Sequence, residues 1–178
     1  MQYRIRPAQI GEIDQLQALI ARSIRTLGAN DYTPAQIEGA LRGAFGVDTQ
    51  LIRDQTYFVI EIGTEIAGCG GWSYRQTLFG GDARAERDPA ELDPSRDAAK
   101  IRAFFIDPDH SRKGLGAVLL EHCEAAARGR GFKHCELMGT LPGVRLYAAR
   151  GYVAMPSIRY PVGPDITIEF VPMRKQIA

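Results

Sequence analysis

The chain has 178 residues, enough for one ordinary domain, because single hydrophobic cores stop growing at roughly 250 residues. Apolar residues make up 45% and charged residues 24%, a balance that excludes disordered, collagen-like and coiled-coil proteins. The net charge of +1 argues against a nucleic-acid or membrane-surface binder. No apolar run approaches the roughly 20 residues of a membrane helix, and the start MQYRIRPAQ has no apolar export segment, so a soluble, cytoplasmic protein is expected. Three cysteines (Cys69, Cys123, Cys135) without a C-x-x-C pair fit reduced thiols rather than disulfides or zinc. The charge is unevenly spread: residues 1–98 hold ten basic against fourteen acidic residues, and residues 99–178 twelve against seven.

In chain order, Tyr3 to Pro7 alternates as a short strand. Ile13, Leu16, Ile20, Ile24 and Leu27 then recur at steps of three and four, one face of an amphipathic helix. A short turn from Gly28 to Tyr32, expected to be exposed, leads to a second helix. There Thr33 is placed as N-cap, Pro34 at the first helical position and Gln36 to close a capping box. TYFVIE (56–61) and IAGCGGWSY (66–74) read as a hairpin around Gly63-Thr64. Gly68, Gly70 and Gly71 in one strand predict a bulge, or a place where another backbone or a ligand comes close. Residues 75–98 form a long acidic loop, ordered or mobile.

KIRAFFIDP (100–108) is an apolar strand, followed by a glycine turn and a helix from about Gly114 to Arg130. HCELM (134–138) is another strand, a short helix runs to about Arg150, and YVAM and ITIEFVPM close the chain as strands. Without repeats or an interdomain linker, the order predicts a single mixed α/β domain over 1–178.

The most informative segment is IDPDHSRKGLGAVLL (106–120): strand, polar turn, two glycines, apolar helix. A helix start leaves amide donors unpaired and partly positive, and glycines let an anion approach that backbone. Arg112 and Lys113 add charge, so a phosphate or pyrophosphate is the natural ligand. By itself the segment reads equally as an ordinary strand-to-helix turn. A dinucleotide fingerprint needs glycine where Leu119 stands, and a P-loop needs its lysine after the last glycine, whereas Lys113 precedes Gly114.

Ser111-Arg112-Lys113-Gly114-Leu115-Gly116 resembles motif A of the GNAT superfamily of acetyl-coenzyme A-dependent N-acyltransferases, Q/R-x-x-G-x-G/A, with Ser111 in place of the first residue. VIEIGTEIAGCGGW (59–72) resembles the family's second and third strands, IRAFFIDP its fourth, and Leu146 to Tyr152 its Y-x-x-x-G-F segment. The resemblance implies an α/β fold with one mixed, mostly antiparallel twisted sheet of about seven strands, splayed near the fourth and fifth and covered by helices on both faces. It also implies transfer of an acetyl group from acetyl-coenzyme A, as co-substrate without a metal, directly to an amine acceptor. A non-catalytic acyl-coenzyme A sensor or partner-binding module on the same fold is the alternative.

From the resemblance, Arg112, Lys113, Gly114, Leu115, Gly116 and Ala117 are expected to hold the pyrophosphate. The backbone of Phe104, Phe105 and Ile106 aligns the pantetheine, with a thioester-oxygen donor around Phe105 and Ile106. Tyr147 is the candidate general acid toward sulfur, or a ring packed on the sheet. Tyr32 and Trp72 are candidate acceptor contacts, or packing residues. No base is named: Asp31, Glu86, Asp88, Glu91 and Glu136 read as surface charges. His110, His122 and His134 have no metal-ligand spacing. A cationic acceptor is favoured if the acidic loop shapes the mouth. The last strands are candidates for a homodimer contact.

Overall fold

In the first half of the chain, side-chain periodicity and capping set the elements. The computed structural model describes residues 1–178, beginning with β1 (Arg4–Pro7), α1 (Ile13–Leu27) and α2 (Pro34–Leu41). The Thr33 hydroxyl accepts from the Gln36 amide at 3.2 Å while the Gln36 side chain accepts from the Thr33 amide at 2.9 Å, so the predicted capping box closes on both sides. A short α3 (Thr49–Arg53) follows, begun by the Asp48 carboxylate accepting from the Gln50 amide. The hairpin β2 (Tyr57–Ile62) and β3 (Glu65–Ser73) turns at Gly63, whose φ of +61° suits glycine.

The second half supplies β4 (Ala99–Ile106), α4 (Leu115–Gly129), β5 (His134–Thr140), α5 (Val144–Ala149), β6 (Val153–Ala154), β7 (Ile158–Gly163) and β8 (Ile166–Gln176). The eight strands make one sheet in the order β1-β2-β3-β4-β5-β8-β6, with β7 also paired to β8. Since β6 pairs with Met173 and Arg174 and β7 with residues 166–170, both lie on one edge of β8 and occupy one position in the sheet. Pairing is antiparallel throughout except between β4 and β5, which are parallel. This is the mixed, mostly antiparallel sheet that the family resemblance implies.

Helices cover both faces. Leu16, Ile20 and Ile24 of α1, Ile37 and Ala40 of α2, and Leu51 and Ile52 of α3 pack with Tyr57 and Val59 on one side. Leu119, Leu120, Cys123 and Ala127 of α4 pack with Ile101, Phe132 and Leu137 on the other. Alternate residues of one strand therefore feed two cores, as the pleat requires.

Two features of the sheet make the site. Parallel pairing of β4 with β5 covers only Ala99–Cys135 and Lys100–Glu136, so the strands diverge beyond it. On its other edge β4 slips register against β3: Phe105 faces Cys69, while Arg102 faces Gly71. That extra residue is a β-bulge, and Ala103 carries it at φ +53°. The left-handed region costs a non-glycine residue about 1 to 2 kcal/mol, and the Tyr57 hydroxyl, donating to the Ala103 carbonyl at 3.0 Å, helps hold it there. The glycine-rich stretch of β3 lies opposite. A Cβ on Gly70 would come within 2.6 Å of the Phe104 ring, and one on Gly71 would run into the Thr56 carbonyl oxygen, the backbone approach expected of these glycines.

The 75–98 loop is fixed by hydrogen bonds. Arg75 and Glu91 form a bridge, Gln76 and Thr77 donate to the Ala90 and Asp88 carbonyls, and Arg75 grips Asp54 through Nε at 2.7 Å and Nη2 at 2.9 Å. The turn before α2 is less exposed than expected, because Tyr32 is buried.

Candidate active site

Where β4 and β5 diverge, a cleft of about 690 Å³ opens between α1, the end of β4, the start of α4 and the Thr140–Tyr147 segment. Its floor begins at the glycine turn. Arg112 (φ +58°) and Gly114 (φ +80°) are both left-handed, which swings the chain from β4 into α4. Gly114 is the N-cap, and no side chain caps the helix. The amides of Leu115, Gly116 and Ala117, which a helix start leaves unpaired, therefore keep their donor capacity beside the cleft. Gly116 keeps the floor open: a Cβ there would lie 3.0 Å from Leu146 Cδ2. The turn is anchored to α1 by Arg22, which donates to Asp107 at 2.9 Å and Asp109 at 2.6 Å.

On the β4 wall, the Asp107 amide donates to Ala67 of β3. Alternation along the strand turns the Ile106 amide to the opposite edge, where β5 has already diverged. Opposite stands Tyr147, buried, with its ring edge-on to Phe104 and Tyr152 at 6.5 and 5.8 Å between centroids. These contacts fix the ring, while the hydroxyl enters no hydrogen bond of the protein. Burial raises the phenol well above its ordinary value, so it is protonated at neutral pH.

Phe104, Phe105, Thr140 and Tyr147 also line a second, smaller space of about 50 Å³ beyond the bulge, completed by Phe45, Leu78, Phe79, Ala103, Met138 and Phe170 among others. This chamber is apolar. Arg84 lies over the Phe79 ring at 4.0 Å and salt-bridges Glu86, and Asp82 accepts from Arg87 and Thr49. The loop thus presents Leu78 and Phe79 to the chamber, and none of its acidic residues lines either space.

Of the residues singled out from sequence, Phe104, Phe105, Ile106, Arg112, Gly114, Leu115, Gly116, Ala117 and Tyr147 line the cleft together. Lys113 does not: its amino group turns back to the Asp109 carbonyl at 3.2 Å. Tyr32 and Trp72 are placed elsewhere. The Tyr32 hydroxyl donates to the Glu169 carbonyl at 2.7 Å and accepts from the Leu141 amide at 2.8 Å, so it joins three segments of chain. Trp72, 4% exposed, packs against Tyr74 and Phe132 in the α4-side core. Both are packing residues because their faces of the fold are covered, one by β8 and the other by α4. Asp31, Glu86, Asp88, Glu91 and Glu136 line neither space, and Glu136 is paired with Lys100. Burial pushes the Cys69 and Cys135 thiols up to about 12, so neither is a nucleophile at neutral pH.

Sequence reading missed Ser23 and Thr26 of the α1 wall, Asn30 in the turn after it, and Thr140 at the junction. It also missed Tyr57, which holds the bulge. The α1 residues lie on the helix between its apolar positions and carry no spacing signal. Gly70 and Gly71 were the available trace of the bulge.

A sheet parted between two parallel strands, with an uncapped helix start whose free amides can donate to an anion below the gap, defines an open α/β domain. The Acetyltransferase (GNAT) family model matches residues 26–152, and the chain belongs to that family. Its backbone is similar to a GCN5-related N-acetyltransferase from Rhodopseudomonas palustris, with a TM-score of 0.72 at 17% identity over 99% of this chain and 96% of that one. It is also similar to the PaiA N-acetyltransferase of Thermoplasma acidophilum in complex with coenzyme A, with TM-score 0.66 and 14% identity over 99% of both chains. A third is YncA of Salmonella typhimurium, a putative acetyltransferase with acetyl-CoA, with TM-score 0.65 and 15% identity over 100% and 95%. No curated protein matches the sequence. No helix is long and apolar enough to cross a membrane.

Proposed function

We propose that the protein transfers an acetyl group from acetyl-coenzyme A directly to a weakly basic amine. The observation that carries this reading is the row of uncapped amides at residues 115–117, facing the same cleft as the free hydroxyl of Tyr147. The amides and Arg112 hold the pyrophosphate, and Gly116 leaves room for it. Pantetheine runs along Phe104 to Ile106, in the place β5 vacates. As the amine nitrogen forms its bond to the acyl carbon and the carbon–sulfur bond breaks, the Ile106 amide donates to the acyl oxygen. The electron pair leaves with sulfur.

Tyr147 donates a hydrogen bond to that sulfur. Its phenol lies far above a thiol in pKa, so full proton transfer to the thiolate is uphill, and the group serves as a donor that stays protonated. The amine loses its proton to water. With no carboxylate in either lining, an amine that is already partly neutral reacts best. An α-amino group near pKa 8 is about a tenth neutral at pH 7, against less than about a thousandth for an alkyl ammonium near 10.4. The apolar chamber suits an apolar group on that acceptor. Exposed Val153, Met155 and Ile158 on the β6–β7 edge are the surface on which a homodimer would form.

Titration calorimetry with acetyl-coenzyme A tests the binding step. Gly116→Glu, which sets a carboxylate among the anion donors, should weaken it at least a hundredfold, and equal affinity would sink the reading. The missing carboxylate also favours a second reading, a sensor that binds without turning over. Thiol release across α-amino, aromatic and alkyl amines separates the two.

A further inference from the structure

A third cavity, of about 250 Å³, lies between α3, the end of β3 and the 75–98 loop, and shares no lining residue with the cleft or the chamber. Four arginines, Arg53, Arg75, Arg87 and Arg102, face it with one carboxylate, Asp48. Both Asp48 oxygens are engaged, one by Arg102 Nη2 at 3.0 Å and the other by Arg87 and the Gln50 amide. Arg75 is held by Asp54, and Arg87 also reaches Asp82. Counting those two acids as well, four guanidiniums meet three carboxylates, and one positive charge is left over.

The surplus can be located. Arg53, exposed at the rim, is paired with none of these carboxylates. Arg102 is 2% exposed, and its Nε is buried with no hydrogen-bond partner. Burying a guanidinium is costly unless its donors and charge are matched. Burial lowers the Arg102 pKa despite Asp48, and Arg87 pushes in the same direction. Arg102 therefore keeps Asp48 and two carbonyls as partners but one donor unmatched, and the unpaired charge of the cluster sits on Arg53.

We infer that this cavity binds a small oxyanion, a phosphate or carboxylate group on a compact molecule, at a site separate from the acetyl-transfer cleft. Guanidinium forks match the planar or tetrahedral oxygens of such groups. A volume of about 250 Å³ leaves room for a phosphate or a short dicarboxylate. Arg102 immediately precedes the bulged Ala103, and its Nη atoms hold the Thr77 and Gly80 carbonyls on either side of the chamber residues Leu78 and Phe79. Neutralising Arg102 therefore stabilises the strand and loop that border the chamber.

The test is calorimetric titration of inorganic phosphate, and separately of succinate, at constant ionic strength in chloride. The protein is first saturated with coenzyme A so that the α4 helix start is filled. Saturable binding of at least one of the two is expected, weakened at least tenfold in Arg53→Ala and lost in Arg53→Glu. The melting temperature of wild type should rise with the bound ion. Arg53 has no ion pair to lose, so both variants should fold and keep wild-type coenzyme affinity. A response to phosphate alone identifies a phosphate group, and to succinate alone a carboxylate. No saturable binding of either, or the same affinity in Arg53→Glu, overturns the site. The coenzyme titration is read separately, so failure of acetyl-coenzyme A binding and failure of the oxyanion site are distinct results.

Discussion

The cleft and the chamber meet at Phe104, Phe105, Thr140 and Tyr147, yet they are built from different material. The cleft offers backbone: the amides of a helix start and of a strand edge, placed by glycines and by the divergence of β4 from β5. The chamber offers side chains, nearly all apolar, drawn from the segment after α2, the 75–98 loop, β4, β5 and β8. Backbone recognition suits the part of a reaction that every member of a family shares, because it needs only the fold and a few glycines. Side-chain recognition suits the part that differs.

Four substitutions or conditions press on this contrast. The largest effect is expected from Tyr147→Phe, which keeps the ring contacts to Phe104 and Tyr152 and removes only the hydroxyl. The kcat should fall about 100-fold, as for a lost donor to developing negative charge, with coenzyme affinity nearly unchanged, and an equal loss in both would make Tyr147 a packing residue. On the chamber side, Leu78→Glu supplies the missing carboxylate. Selectivity, as the ratio of kcat/KM for an alkyl amine over an α-amine, should rise about tenfold, about 1.4 kcal/mol, and an unchanged ratio would separate the chamber from the acceptor.

Tyr57→Phe acts on the wall the two spaces share. Releasing the Ala103 carbonyl should lower kcat severalfold, leave coenzyme Kd within about twofold, and cost about 1 to 2 kcal/mol in urea unfolding. Equal changes in kcat and Kd would mean general loosening. The smallest effect near neutrality is that of pH. The buried phenols of Tyr32, Tyr57, Tyr147 and Tyr152 and the thiols of Cys69, Cys123 and Cys135 all have raised pKa values. Their neutral forms favour the folded state, fully so below the unfolded-state values. Stability should be level between pH 7 and about 8, then decline as the thiols near 8.5 and the phenols near 10 begin to ionise in the unfolded chain. Chemical unfolding from pH 7 to 11 measures it.

Legibility from sequence follows the same division. The helix spacing of α1, the Thr33 capping box and the glycine turn are local signals, and each is formed as read. The splay of β4 from β5 came from the family resemblance. α3 and β7 were not anticipated: α3 is a five-residue turn of helix started by Asp48, and β7 includes Pro161 and ends at a bulge by Gly163. Tyr32 was misplaced because Gly-Ala-Asn-Asp before it reads as a solvated turn, whereas β8, 137 residues further on, closes over it. The apolar wall at Leu78 and Phe79 was equally hidden, since it depends on Arg84 and Arg102 drawing the loop inward.

The Tyr32 clip has a consequence for how the molecule comes apart. One phenol bonds the Leu141 amide and the Glu169 carbonyl from the turn between α1 and α2, so it ties both sides of the cleft to the last strand. Opening the cleft by fraying any one of these segments must break that junction, and fluctuations of the three should be coupled. In hydrogen exchange, the Leu141 amide, though it begins a turn, should open on the slow timescale of β8 rather than on that of surface turns.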